Sequence, residues 1–171
     1  MREIIFRGKR LDNGEWVSGT MYQISRDLNP FIMVEDKHGC SYEVDEETVG
    51  QYTGLHDATK WENLPEKEQQ EFLRIHKKED WNGKKIFEGD IVKADNGKHS
   101  SVSVVKFGEY YPKMFYDMLD IFCPSMLHLN ANGFYLESNK HEDMILFKSR
   151  HLVVIGNIHD NPELLKEEAQ T

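Results

Sequence analysis

Asn-Gly dipeptides punctuate this chain, among them Asn13-Gly14, Asn82-Gly83 and Asn96-Gly97, with β-branched and aromatic residues on their flanks. Glycine and asparagine reach positive φ at little cost, so Asn-Gly suits the tight turns whose twist matches antiparallel strands. A chain punctuated this way is constrained towards short antiparallel strands. Glu3-Ile4-Ile5-Phe6 leads into a polar turn over Arg7 to Gly14, and Trp16 to Tyr22 returns, so residues 2–24 read as a β-hairpin. Phe31–Val34 and Cys40–Val44 follow as strands around the turn Asp36-Lys37-His38-Gly39. Residues 45–55 read as a strand pair or a tight wrap. Lys84 to Ala94 and Val102 to Phe107 flank Asn96-Gly97 as a second hairpin region. Gly133–Glu137, Met144–Phe147 and Leu152–Ile158 are further strands, the last being the strongest.

Residues 62–80 differ in texture. They hold good helix formers, acids before bases, and Pro65 in the first turn, where its missing N–H costs little. The apolar stripe of Leu64, Phe72, Leu73 and Ile75 is thin, so this helix should dock by one edge, with Trp61 and Trp81 as anchors. Asn161-Pro162 opens a short C-terminal helix. Residues 108–132 fit no element. Their Met and aromatic content, over Tyr110 to Leu129, suits an interface with another copy.

Composition narrows the function classes. The 171 residues carry a formal charge of −9, with 39% hydrophobic residues, which suits a folded, acidic protein. That charge disfavours duplex nucleic acid and anionic membrane surfaces. No apolar run approaches the roughly 20 residues of a membrane helix. The first residues lack the pattern of a secretory signal. Two cysteines, Cys40 and Cys123, form no CxxC and read as free thiols in a reducing cytoplasm.

Chemistry-bearing patterns are sparse. His38-x-Cys40 and the Cys123/His128 neighbourhood lack the paired spacing of a zinc site. His56-Asp57 and His159-Asp160 are sequence neighbours, which usually point apart. Glu88 and Asp90 flank Gly89 and would share one side of a regular strand. They read either as an acid–base or cation pair, or more simply as a turn or bulge in which Asp90 accepts nearby backbone N–H groups. Gly50 to Gly54 lacks the Lys-Ser/Thr ending of a phosphate loop. No catalytic residue, metal ligand or cofactor is therefore expected. Lys77, Lys78, Lys84 and Lys85, interleaved with Trp81, form the one candidate nucleic-acid patch, although two of these lysines also suit a helix C-terminus.

Four blocks then carry a resemblance. Arg2 to Lys9, Glu47 to Leu55, Asn82 to Val92 and Val154 to Leu165 occur in the order and form found in the YopX family of phage and prophage proteins, which this chain resembles over essentially its whole length. It departs from compact members in the stretch Ala58 to Trp81, which reads as an insert. The resemblance implies a mainly β fold: an N-terminal β-meander (1–57), a helical insert (58–81), and a C-terminal small SH3-like β-barrel with a terminal helix (82–171). Its signature positions are Thr48, Gly50, Gln51, Thr53, Gly54, Gly89, Asp90, Gly156, Asn157, Asn161 and Pro162. It attaches no catalytic role to them, and their types suit backbone geometry.

The expected function is a non-enzymatic accessory protein that binds a host or phage macromolecule in the bacterial cytoplasm, as a symmetric homo-oligomer. One alternative is a single-stranded nucleic-acid binder that uses a barrel face and aromatics such as Trp16, Tyr22, Tyr110, Tyr111, Phe134 or Tyr135. Another is a small-ligand binder or hydrolase with a deep site of His and carboxylates at a subunit boundary.

Overall fold

A computed structural model of the chain describes residues 3–26, 29–95, 100–110, 131–137, 144–145 and 152–167. The architecture is mainly β, in two antiparallel sheets. The first has the order β4-β3-β2-β1-β5-β6, built from β1 (Phe6–Lys9), β2 (Trp16–Arg26), β3 (Asn29–Glu35), β4 (Ser41–Val44), β5 (Gly50–His56) and β6 (Lys85–Phe87). The second has the order β10-β9-β8-β7-β11, built from β7 (Asp90–Asp95), β8 (Ser100–Tyr110), β9 (Ala131–Glu137), β10 (Met144–Ile145) and β11 (Leu152–Asn157). Among the described residues, α1 (Glu66–Leu73) and α2 (Leu164–Glu167) are added to them. Among the described residues the sheets form no closed barrel.

The first hairpin forms as its turn chemistry predicts, but later in the chain. Gly14 has φ +72° and β1 pairs with β2 as far as Lys9↔Trp16. The tip is therefore residues 10–15 rather than a turn beginning at Arg7. Arg7 and Lys9 look like turn residues locally, yet each finds an acidic partner far along the chain, and that fixes them in a strand.

The sheet then curls. Arg10 bridges Val44, Leu11 N–H donates to Glu43 O (3.0 Å) and Asp45 N–H donates to Lys9 O (2.9 Å). The outer edge of β4 is thus occupied by the β1–β2 turn. Val17, Val34 and Val44 fill the concave side. A Cβ at Gly8 would lie 2.9 Å from Val44 Cβ, so a glycine lets β1 close onto β4.

Lys84 to Ala94 is not one strand. At Glu88-Gly89 the chain passes from one sheet to the other, with Gly89 at φ +80°. β6 completes the first sheet against β5, and β7 begins the second. Asn82-Gly83 is likewise no hairpin tip. Gly83 has φ +106° and passes so near Asp57 that a Cβ there would sit 2.0 Å from its carbonyl oxygen. The larger core lies against the second sheet: Ile86 from β6 packs with Val92, Val105, Leu136 and Leu152. Each such buried aliphatic contributes roughly 1.5–3 kcal/mol.

The helical stretch is broken into a 3-10 turn at Trp61–Asn63, the eight-residue α1, and a second 3-10 turn at Lys78–Asp80. The expected anchors hold. Trp61, Phe72 and Trp81 form a mutual edge-to-face cluster with centroids 5.2–5.9 Å apart. The helix stops after Leu73 because beyond it only Ile75 is apolar before the second 3-10 turn, and Ile75 is half exposed, leaving no face to bury.

Candidate functional site

Gly50, Gln51, Gly89 and Asp90 meet at the joint between the sheets, and most of the signature positions act through backbone geometry. A Cβ at Gly50 would lie 2.4 Å from Glu88 O, and Gln51 O accepts Glu88 N–H at 2.9 Å. Gly89 N–H donates to Val105 O (2.8 Å) and Gly89 O accepts Ile158 N–H (2.9 Å). A Cβ at Gly156 would lie 2.6 Å from Asn161 Oδ1. Asn157 Oδ1 accepts the N–H groups of His159 and Asp160, both at 2.9 Å. Thr48 Oγ1 donates to Asp45 O and accepts Lys9 N–H, while Thr53 Oγ1 donates to Ile86 O. Gly54 has φ +85°, and the Pro162 carbonyl accepts Leu165 N–H at the start of α2.

Charged side chains complete this joint. Asp90 is 1% exposed; its Oδ2 accepts Phe87 N–H at 2.8 Å, as a turn carboxylate should, and its Oδ1 lies 2.6 Å from Arg7 Nη2. Burial pushes the Asp90 carboxyl up, and Arg7 pulls it part of the way back. The Arg7 guanidinium lies between the rings of Trp16 (4.8 Å) and Phe87 (4.9 Å). Asp160 accepts from Trp16 Nε1 (2.6 Å) and Asn157 Nδ2 (2.8 Å) and pairs with Lys9. Burial would raise Asp160, but hydrogen bonds from Asn157, Lys9 and Trp16 outweigh it and bring its carboxyl down to about 2.

Two carboxylates flagged by sequence thus part company. Asp90 belongs to the scaffold. Glu88 lines a shallow cleft of about 200 Å³ with His159, Gly89, Ile158, Val49 and Phe107. Burial raises the Glu88 carboxyl against the pull of the Gln51 and Phe107 N–H groups. Burial, then Arg7 and Lys9, lowers the His159 imidazole.

His56 and Asp57 also diverge. His56 Nδ1 meets Tyr52 OH at 3.2 Å. Asp57 is buried and accepts four bonds: Thr59 N–H and Lys84 N–H at Oδ1, Thr59 Oγ1 and Val154 N–H at Oδ2. Ala58 N–H donates to Leu152 O at 2.7 Å. Asp57-Ala58 therefore covers the outer edge of β11. Sequence reasoning missed the roles of Arg7, which it placed in a polar turn, and of Asp57, which it named only as the neighbour of His56.

A second, larger cavity of about 390 Å³ opens between α1 and the β5–β6 edge. Trp81, Lys84 and Lys85 of the basic patch line it, joined by Lys37, His56, Phe72 and His76; Lys77 and Lys78 are not among its lining residues. Lys84 pairs with Glu68 (2.8 Å), Lys85 with Glu3 (3.2 Å) and Lys78 with Glu62 (3.4 Å). Trp81 Nε1 donates to Thr59 O at 2.8 Å, which fixes its ring. Among the aromatics named from sequence, Trp16 is half-buried at the joint, Tyr22 OH donates to Ser41 Oγ, and Phe134 packs edge-on against Phe107. The side chains of Tyr110 and Tyr111, together with Cys123 and His128, lie outside the described residues. Among the described residues no three His, Cys, Asp or Glu side chains converge to hold a metal ion. No helix among them is long and apolar enough to cross a membrane.

The second sheet and α2, with the Glu88-Gly89-Asp90 crossing that leads into them, correspond to a known family model. Residues 78–166, slightly more than half of the chain, match the model described as YopX protein. The chain belongs to the YopX family. The YopX match takes in Gly89, Asp90, Gly156, Asn157, Asn161 and Pro162, while Thr48 to Gly54 and α1 precede it. The larger cavity thus joins YopX residues Trp81 to Lys85 to a wall supplied from outside the match. No curated protein and no solved structure matches the chain.

Proposed function

We propose that this YopX-family chain is a non-enzymatic binding protein of phage or prophage origin, acting on a host or phage macromolecule in the bacterial cytoplasm through the groove beside α1. One observation carries the reading. Asp57, Asp90 and Asp160 spend their oxygens on scaffold partners, whereas the groove presents cations and aromatic rings at an open, ligand-sized surface. The test is capture from host lysate by the tagged chain and by a Lys37→Glu/Lys85→Glu variant, each with and without nuclease. A stoichiometric partner held by the parent chain and lost by the variant supports the reading. Equal capture by both, or none, overturns it.

A second reading, a small-ligand binder or hydrolase, draws on the cleft that Glu88 and His159 both line. It predicts ester or phosphoester turnover that His159→Gln abolishes. A symmetric homo-oligomer is also proposed. Its support is the Met- and aromatic-rich stretch of Tyr110 to Leu129 together with the short edge strands β6 and β10, since the edges of β4 and β11 are occupied. Light scattering that reports a monomer across a wide concentration range would refute it. An SH3-like barrel kinship for residues 82–171 is a further part of this proposal; it rests on the strand entry at Glu88-Gly89-Asp90.

A further inference from the structure

We infer that the groove beside α1 binds a nucleotide carrying a 5′-phosphate, with the base against the Phe72–His76–Trp81 wall and the phosphate against Lys37, Lys84 and Lys85. This rests on the reading above that the groove is a binding site; a strand end would be part of the macromolecule proposed there, and a free nucleotide would replace it. The cavity, about 390 Å³, falls within the ~300–1,000 Å³ of small-ligand sites.

Its two walls differ in chemistry. On the α1 side, Trp81 meets Phe72 edge to face at 5.2 Å. His76 meets Phe72 at 4.7 Å with the planes tilted by 31°, so an aromatic pair already exists there. His76 is exposed, and its outer face extends the pair towards solvent. The Trp81–Thr59 bond and the Trp61 contact hold the wall rigid, so little order is lost when a base packs on it.

The opposite wall is cationic. Lys84 and Lys85 enter from the start of β6, and Lys37 from the β3–β4 turn. Lys84 and Lys85 are each held by one glutamate, but an ammonium group has three donors, so a single ion pair orients it and leaves N–H groups for a phosphate. Lys37 has no carboxylate within ion-pair distance among the described residues.

Charge also limits ligand size. Glu68 and Glu71 line the same groove, and the chain carries −9 overall. A long polyanion would meet that field, whereas a single phosphate is recognised within one Debye length of about 8 Å. One nucleotide, free or at the 5′ end of a strand, therefore fits better than a tract running across the surface. An acidic peptide would use the lysines but leave the aromatic rings of the other wall without an aromatic partner.

Calorimetric titration with AMP, adenosine, inorganic phosphate and a 5′-phosphorylated pentathymidylate tests this. AMP should bind, with adenosine and phosphate at least about tenfold weaker, each lacking one wall. Lys37→Ala and Lys85→Ala, both exposed and with unchanged circular dichroism, should each weaken AMP about fivefold to tenfold. Tighter binding of AMP points to a free nucleotide, and tighter binding of the pentathymidylate to a strand end; either supports the proposal. No heat from either probe at about 1 mM, or affinities unaltered by both lysine variants, would overturn it. Binding of hexaglutamate in place of AMP would also overturn it, in favour of a protein partner. If AMP fails while lysate capture remains sensitive to Lys37→Glu/Lys85→Glu, only the ligand class falls; if both fail, the binding reading falls too.

Discussion

The guanidinium of Arg7, on β1, stands 2.6 Å from the carboxylate of Asp90, the first residue of β7, so one ion pair ties the two sheets together. Arg7→Met would leave a carboxylate that is 1% exposed with the Phe87 N–H as its remaining partner. Loss of one member of a buried pair costs about 3–5 kcal/mol, so urea denaturation should show a destabilisation of that size. Asp90→Asn should cost less, because its side-chain oxygen can still accept from Phe87. The double variant Arg7→Met/Asp90→Leu should recover at least half of the single loss. A cost below about 1 kcal/mol for Arg7→Met would show that the sheets hold without the pair.

Asp57 anchors a different joint. Asp57→Ala strands the N–H groups of Thr59, Lys84 and Val154 and the Thr59 hydroxyl. Each unsatisfied donor costs about 1–3 kcal/mol when fully buried; Thr59, Lys84 and Val154 are half-buried, so water reaching their freed donors reduces that to a total of about 3–4 kcal/mol. Amide exchange should pick out the site, with Val154 and Lys84 losing protection before the β8–β9 pair. Uniform loss across the chain would instead mean that Asp57 acts only on global stability.

Stability should fall as the pH drops below neutral. His56 is lowered from 6.5 by burial and then by Lys85; His159 is lowered by burial and then by Arg7 and Lys9. The unfolded chain therefore takes up protons first, and stability is lost as pH falls through about 6.5. Asp160 acts in the same direction at a lower pH, since its folded carboxyl also takes up its proton after the unfolded one. Its carboxyl, moved from 3.8 down to about 2, favours the folded state above that range and loses the effect only as pH falls from 3.8 towards 2. Urea midpoints measured from about pH 7.5 to 5 should slope for the parent chain and flatten for His56→Gln/His159→Gln. An equal slope in both would remove the histidines from the account.

Trp81 should stabilise α1 rather than the body of the fold. Its ring meets Trp61 and Phe72, and no side chain of α1 is fully buried. Trp81→Ala should speed amide exchange over Glu66–Leu73 at least about tenfold, with a small change in Tm. A large drop in Tm with α1 still protected would contradict this.

Local chemistry was legible, and long-range pairing was not. Gly14 and Gly39, at φ +72° and +78°, sit in the turns that Asp12-Asn13-Gly14 and Asp36 to Gly39 announce. Gly89-Asp90 likewise reads as a turn or bulge with Asp90 accepting a backbone N–H, and it is one; what no local feature marks is that the chain passes there from one sheet to the other. Arg7 and Lys9 read as turn residues because Asp90 and Asp160, which hold them in β1, lie far along the chain. In the groove, Trp81, Lys84 and Lys85 were legible as one basic–aromatic cluster. Lys37, His56 and His76 were not, because a turn, β5 and the end of α1 bring them there.

The passage at Gly89 sets an order on synthesis. β5 is made early, but its partner β6 emerges only with Lys85–Phe87, after the whole helical stretch. While the ribosome extends the chain between them, the edge of β5 beyond β1 stays unpaired, and such an edge recruits other strands. The polar, glutamate-rich α1 that follows provides charge close to that edge during the interval. Deleting residues 58–81 would bring β6 forward and shorten the exposure, while removing the wall on which the groove depends.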